Sequence, residues 1–373
     1  MLDELFKHHM GGRELNGTII SGEAGVGKSK LAIHLQKLTD QFSGYCVYGK
    51  FEHNLNSLKP LSTIVNMFDS LCELLLKNSS HLELKKIDEE LTSALGSQPN
   101  HFGVIPSLRK LLPSCLGAET TSKSCVDSAI SMRYLMGELL RVMSSISKPI
   151  TIVIDDIQFA DHASLLLVRY LLFSAQSSPI FFALCHRDEE ISMSVPFNAW
   201  LISIEMLALK PIKLEPLTTF GANNLISEAL HLSPRLTFPL SSVLHRKTRG
   251  NPLFLRQLLD SLTEQGYIFI DLKQHRWAWD LDRVIELEIS DSVLALLMSD
   301  IQRLPNDLQF GLQVAACIGP YITESMLNYL SIDLGLDLKD ILQQVSSKGF
   351  MIKIPSSKTF RFAHDKILQV AYE

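Results

Sequence analysis

The sequence predicts an α/β fold: a parallel sheet with helices on both faces, followed by a helical region and a last domain of helices closed by a two-stranded wing. Three observations predict it. Ile150 to Ile154 and Ile180 to Leu184 are unbroken apolar runs, the pattern of strands buried on both faces of a parallel sheet. Asp161 to Phe173, between them, has a helical pattern, so strand, helix and strand follow in the order of a doubly wound sheet. The composition changes at Pro211-Ile212-Lys213-Leu214-Glu215-Pro216-Leu217, after which helices dominate to about Gln265.

Along the chain, residues 1–17 read as a short helix and a turn ending in Gly11-Gly12 and Asn16-Gly17. Thr18-Ile19-Ile20 is a short β-type run, followed by a glycine-rich loop and a helix with Leu31, Leu35 and Leu38 on one face. Tyr45 to Tyr48 is a second strand. Residues 60–145 read mostly as helices, with loops around Ser97-Gln98-Pro99-Asn100 and from Gly117 to Ser124. Asp161 is placed to cap the helix that runs to Phe173. Tyr267 to Asp271, the polar turn Lys273-Gln274-His275 and Trp277-Ala278-Trp279 predict a hairpin. From Val293 three helices are expected, then strands at Phe350–Ile354 and Thr359–Phe362, and a last helix starting near His364-Asp365.

The bulk properties narrow the function classes. A chain of 373 residues predicts two or three domains. A net charge of −5 gives no general attraction for nucleic acid or anionic membrane. No apolar run approaches the ~20 residues that span a bilayer; Leu165 to Phe173 is interrupted by Arg169. The first ten residues include Asp3, Glu4 and Lys7 and no signal-peptide core, so a cytoplasmic location is expected. The six cysteines are scattered without metal-ligand spacing and read as reduced thiols.

Gly22-Glu23-Ala24-Gly25-Val26-Gly27-Lys28-Ser29 fits the phosphate-binding pattern G-x-x-x-x-G-K-[ST] in full. Glycines let backbone N–H groups turn toward a phosphate without Cβ clashes, and the helix that follows adds its positive end. Lys28 suits the β- and γ-phosphates as a point charge, and the Ser29 hydroxyl suits Mg²⁺. By residue usage the pattern arises by accident in on the order of one chain in a hundred; here a strand precedes it and a helix follows.

Ile152-Val153-Ile154-Asp155-Asp156 places two carboxylates at the carboxyl end of a buried strand, the edge where open α/β sheets bind ligands. Asp155 is expected to hold Mg²⁺ through a water, and Asp156 to orient or deprotonate an attacking water. Arg187 follows the next apolar strand at the same edge, where a cation senses a γ-phosphate and stabilises transition-state charge. The expected ligands are ATP or ADP with Mg²⁺.

Ser21 to Ser29, followed by Ile154-Asp155-Asp156-Ile157-Gln158-Phe159-Ala160-Asp161, resembles the AAA+-related P-loop ATPases of the STAND class. More narrowly, it resembles the origin-recognition-like AAA ATPase region of large multi-sensor protein kinases and related signalling proteins. Gly49-Lys50-Phe51, Leu111-Leu112-Pro113, Gly250-Asn251-Pro252-Leu253-Phe254, Arg276 to Trp279, Leu304-Pro305, Ala315 to Gly319 and Phe362-Ala363-His364-Asp365 extend the resemblance in order over nearly the whole chain. It implies an ATPase core over residues 1–214, a helical lid with a hairpin over 215–290, and a winged-helix domain over 291–373. It also implies that ADP holds the domains closed and ATP opens them. Pro252 would contact nucleotide, and His364 would lie against ADP phosphates. Kinase or sensor modules are the implied partners, and nucleotide-dependent assembly the implied oligomeric behaviour.

The chain departs from the family in having Phe159 where Trp is frequent. It also has Asp156 where motor-type relatives use Glu, one methylene shorter, which predicts slow turnover. It begins about twenty residues before the phosphate loop, so a segment that contacts adenine in relatives is expected to be missing or altered, and it stops at Glu373 inside the last helix, as expected of a fragment or an incomplete gene product. Two alternatives stay open: a nucleotide-binding scaffold without turnover, and a DNA-associated ATPase. Against the latter, residues 291–373 have seven Lys/Arg and nine Asp/Glu, where a DNA-reading face should be basic. There is no Asn-Lys-x-Asp base-reading motif for a GTPase and no Asp-Phe-Gly metal motif for a protein kinase.

Overall fold

The computed structural model describes residues 2–11, 17–51, 60–95, 105–111, 125–144, 148–175, 179–188, 195–207, 209–272, 275–286, 301–319, 321–354, 359–362 and 365–372. It divides into two compact units, Met1–Glu215 and Pro216–Glu373.

In the first unit, α1 (Leu2–Met10) leads to β1 (Gly17–Gly22), α2 (Lys28–Gln41) and β2 (Tyr45–Lys50). A helical stretch follows: α3 (Ser62–Asn78), α4 (His81–Leu95), α5 (Leu108–Leu111) and α6 (Cys125–Ser144). Then come β3 (Ile150–Asp155), α7 (His162–Ser174), β4 (Ile180–Cys185), α8 (Val195–Ile204) and β5 (Leu209–Leu214). The five strands form one sheet in the order β2-β3-β4-β1-β5, with every pairing parallel. All six residues of β3 and of β4 are buried. In β4, Ile180, Phe182 and Leu184 join the core that carries α3, α6 and α7. Phe181, Ala183 and Cys185 join the opposite core, with Phe6 of α1 and Leu35 and Leu38 of α2. That alternation explains why the two runs are apolar throughout: each side of the strand meets a helix layer. Full burial of each large side chain stabilises the sheet by about 2 kcal/mol. Asp161 caps α7 as predicted, its Oδ1 accepting from Ser164 N–H at 2.9 Å.

The strand β5 is not evident in the sequence. It lies at the sheet edge and has a mixed burial pattern, so it lacks the apolar signature of β3 and β4. An edge position also tolerates Pro211, which has no N–H to give to a ladder.

The second unit contains two apolar cores. Around the first pack α9 (Thr219–Leu230), α10 (Pro234–Thr248), α11 (Pro252–Glu264), the predicted hairpin β6 (Ile268–Asp271) and β7 (Arg276–Trp279), and α12 (Leu281–Glu286). The second core gathers α13 (Asn306–Ile318), β8 (Tyr321–Thr323), α14 (Glu324–Leu334), α15 (Leu338–Ser347), β9 (Met351–Ile354), β10 (Thr359–Phe362) and α16 (Asp365–Tyr372). Its antiparallel sheet runs β8-β10-β9, so the expected two-stranded wing has a third strand. That strand is three residues long, too short for an alternation to show in the sequence. The predicted loops at Ser97–Asn100 and Gly117–Ser124, the turn residues Lys273 and Gln274, and the start of the helical run at Val293 lie outside the described residues.

Candidate functional site

The phosphate loop joins β1 to α2, as the sequence requires. Gly22 ends the strand at φ +151°, and a Cβ there would sit 2.6 Å from the Leu214 carbonyl oxygen, which excludes larger residues. Lys28, the first residue of α2, is buried, and its ammonium donates to the carbonyls of Gly22 (2.7 Å) and Glu23 (2.8 Å). The loop therefore closes around its own lysine. Burial lowers the Lys28 pKa, and Asp156 and Asp155 counter that shift.

Ser29 reaches across the sheet. Its Oγ donates to Oδ2 of Asp155 at 2.8 Å, joining residues 126 positions apart. Tyr48 donates its phenol O–H to the same oxygen at 2.7 Å. Oδ1 of Asp155 accepts the backbone N–H of Asp156 at 3.1 Å. A magnesium ion fits this donor set. Ser29 and Asp155 supply hard oxygens side by side at the sheet edge, and among the described residues no group of three or more His, Cys, Asp or Glu forms a cage that would exclude water and phosphate ligands.

Asp156 is differently placed. Its backbone is left-handed, at φ +51° and ψ +42°, and it opens the short 3₁₀ turn Ile157–Phe159. Oδ1 accepts from Gln158 Nε2 (3.1 Å) and Arg187 Nε (3.0 Å). Oδ2 accepts from Arg187 Nη2 (3.2 Å) and pairs with Lys50 Nζ (3.2 Å). An ionised carboxylate offers about four acceptor positions, and here four donors face it. Burial raises the Asp156 pKa, but Arg187 and Lys50, with hydrogen bonds from Arg187 and Gln158, outweigh burial and hold the carboxyl at about 2. The Arg187 guanidinium also lies over the Phe159 ring, 5.4 Å from its centroid. The letters His186-Arg187-Asp188 match a kinase catalytic loop, but here they follow a parallel strand. His186 N–H extends the ladder to the Ile20 carbonyl at 3.0 Å, and Arg187 is bound to Asp156.

The structure thus gathers Gly22 to Ser29, Asp155, Asp156 and Arg187 at the carboxyl ends of β1, β3 and β4. Three further residues, Lys50, Tyr48 and Gln158, belong to the cluster and carry no role in the sequence reading. Lys50 and Gln158 stand inside the quoted stretches Gly49-Lys50-Phe51 and Ile157-Gln158-Phe159. The available signal for Tyr48 and Lys50 was their place at the carboxyl end of a strand, two residues apart and so on one face.

In the second unit, Pro252 is the first residue of α11, and Asn251 caps that helix by accepting from Leu253 N–H at 3.1 Å. Gly250 has φ +74°, and a Cβ there would overlap the Leu217 carbonyl oxygen. The Leu217 N–H donates to Gly250 O at 2.8 Å, and its carbonyl bonds His245 Nε2 at 2.9 Å. His364 lies outside the described residues.

Residues 1–183 match a protein-family model described as an AAA ATPase domain. The chain is 24% identical to the hybrid signal transduction histidine kinase G of Dictyostelium discoideum, over 86% of this chain and 11% of that protein. It is 23% identical to the peroxide stress-activated histidine kinase mak3 of Schizosaccharomyces pombe, over 92% of this chain and 16% of that protein. The match therefore takes in only a small part of either relative's length. Among solved structures, a signal transduction ATPase with numerous domains (STAND) from Pyrococcus horikoshii, which carries a tetratricopeptide repeat sensor, aligns with a TM-score of 0.54 at 13% identity. That alignment covers 99% of this chain and 41% of the other, and the likeness is one of fold.

Proposed function

We propose that residues 1–183, which match the AAA ATPase domain family model, work as such a domain, and that the chain is a nucleotide-operated switch module of a signal-transduction protein, binding ATP with magnesium and hydrolysing it slowly. The observation that carries this reading is the contact between Ser29 and Asp155 beside a complete phosphate loop. Lys28 would exchange its two carbonyl acceptors for β- and γ-phosphate oxygens. Ser29 and Asp155 would hold the metal, Asp155 through a water. Bound magnesium would neutralise phosphate charge. Lys28, Lys50 and Arg187 set three positive charges against the two of Asp155 and Asp156, which suits an anionic ligand.

Slow turnover follows from the acid cluster. A carboxylate whose acceptor positions are filled takes no proton from water, so Asp156 acts only after a donor leaves it. Arg187 is the donor with an alternative: a γ-phosphate competes for the same bidentate guanidinium. In this scheme ATP draws Arg187 from Asp156 and frees the base, and ADP leaves the clamp intact. The kinase relatives support a signalling setting, with the catalytic kinase part elsewhere in the protein or on a partner. We assign residues 1–214 to the ATPase core, 215–290 to a lid that brings Pro252 to the nucleotide, and 291–373 to a winged-helix part that carries His364.

The filled clamp also favours a second reading, a nucleotide-binding scaffold without turnover. One comparison separates the two: ATP and ADP binding and steady-state phosphate release for the chain, for Lys28→Ala and for Asp156→Asn. For a switch, Lys28→Ala loses binding, and Asp156→Asn keeps binding and loses release. Binding without any release in the unmodified chain establishes the scaffold. Folded protein that binds neither nucleotide refutes both.

A further inference from the structure

The edge strand β2 takes no part in the phosphate loop, yet it addresses both acids at the end of β3. Its register sets Tyr48 opposite Val153 and Lys50 opposite Asp155. Two residues apart on a strand, Tyr48 and Lys50 leave the same face. Lys50 goes to Asp156, and Tyr48 passes its own cross-strand neighbour to reach Asp155.

The Tyr48 bond has a consequence for the serine. Oδ2 of Asp155 has two acceptor positions and two donors, Ser29 Oγ at 2.8 Å and Tyr48 Oη at 2.7 Å. Oδ1 is held by the Asp156 N–H, so the carboxylate is tied at both ends and cannot rotate without breaking a bond. Asp155 is almost fully buried, and a loose carboxylate there would lose hydrogen bonds it could not regain from water. While the carboxylate stays fixed it accepts the hydrogen bond from the Ser29 hydroxyl. The Ser29 oxygen then presents lone pairs, and not a proton, to an incoming cation.

We propose that Tyr48 is a positioning residue of the divalent-cation site: its hydroxyl pins Oδ2 of Asp155 so that Ser29 and Asp155 are set for magnesium before the metal arrives. The inference rests on the assignment of Ser29 and Asp155 to that metal. Groups that orient a metal ligand commonly change metal affinity 10- to 100-fold on removal, roughly speaking. The phenol does not itself ligate the metal, so its loss affects the metal-dependent part of nucleotide binding and spares the rest.

The test is Tyr48→Phe, which removes one oxygen from a ring that is 44% exposed. Two quantities are measured by calorimetry on the full chain: ADP affinity with a chelator present, and the magnesium concentration that gives half of the metal-dependent gain in ATP affinity. The expected result is an unchanged chelator value and a magnesium requirement raised about tenfold. Tyr48→Leu, which also removes the ring, should shift the magnesium requirement equally and guards against a packing artefact in either variant. An unchanged or lowered magnesium requirement in both variants overturns the proposal, as does an equal loss in both quantities, which marks a purely structural role. If the unmodified chain binds nucleotide with no metal-dependent gain, the metal assignment itself has failed, and that outcome is visible before any variant is compared.

Discussion

The phosphate loop and the acid cluster meet at one sheet edge but are built in opposite ways. Lys28 finds both its acceptors, Gly22 and Glu23, six and five residues back along the chain. Asp156 takes its donors from the end of β2, from the 3₁₀ turn and from the residue region after β4, 31 positions away in the case of Arg187. A local motif is preserved in any fold that keeps its strand and helix. A cluster drawn from three strand ends exists only when those strands pair in the right order and register. The loop is therefore the portable part of the site, and the acid cluster is the part that depends on the whole sheet.

The largest expected effect that would break this contrast is on stability. Arg187→Met removes the bidentate partner of a buried carboxylate, and losing one side of such a pair costs about 3 kcal/mol. Urea unfolding of the first unit should show that loss; a change near zero would mean that Asp156 is held by the loop's own electrostatics and not by the strand ends.

A smaller effect appears on acidification. The folded Asp156 carboxyl is held at about 2, below the ordinary aspartate value of 3.8, by the Arg187 and Lys50 charges beside it. A depressed acid contributes stability that is present above the unfolded value and is lost as pH falls toward the folded one. That contribution should be on the order of 2 kcal/mol and should disappear between about pH 4 and pH 2. Unfolding curves over that window should fall more steeply for the unmodified chain than for Asp156→Asn. Parallel curves would remove the clamp from the account.

The smallest effect sharpens the comparison. Lys50→Met takes one contact from Asp156 and leaves Arg187 and Gln158, at a cost of about 1 kcal/mol. It also opens one acceptor position on Oδ2, so phosphate release should rise severalfold while ADP affinity holds. A fall in release would show that Lys50 acts on the phosphate and not on the acid.

The difference in construction also explains what the sequence made legible. The loop, the strand before it and the helix after it were readable because their physics is local: glycine conformation, a helix N-terminus and a lysine at fixed spacing. The strands β3 and β4 were readable because burial on both faces writes itself as an unbroken apolar run. Edge strand β5 and the three-residue β8 left no such trace, since half-exposed or very short strands need few apolar residues.

By itself, then, the sequence determined a phosphate-binding loop, two acids at the end of a buried strand and a cation after the next one. Tertiary structure alone decided that Ser29 meets Asp155, that Arg187 and Lys50 both close on Asp156, and that Tyr48 ties Asp155. Each of these contacts joins segments at the carboxyl edge of the sheet β2-β3-β4-β1-β5 that are distant in the chain; Lys50, Tyr48 and Arg187 reach across neighbouring strands, and Ser29 reaches past β4 to the end of β3. Residue spacing fixes what lies within a turn or two of the backbone, and only strand pairing fixes which distant side chains share an edge.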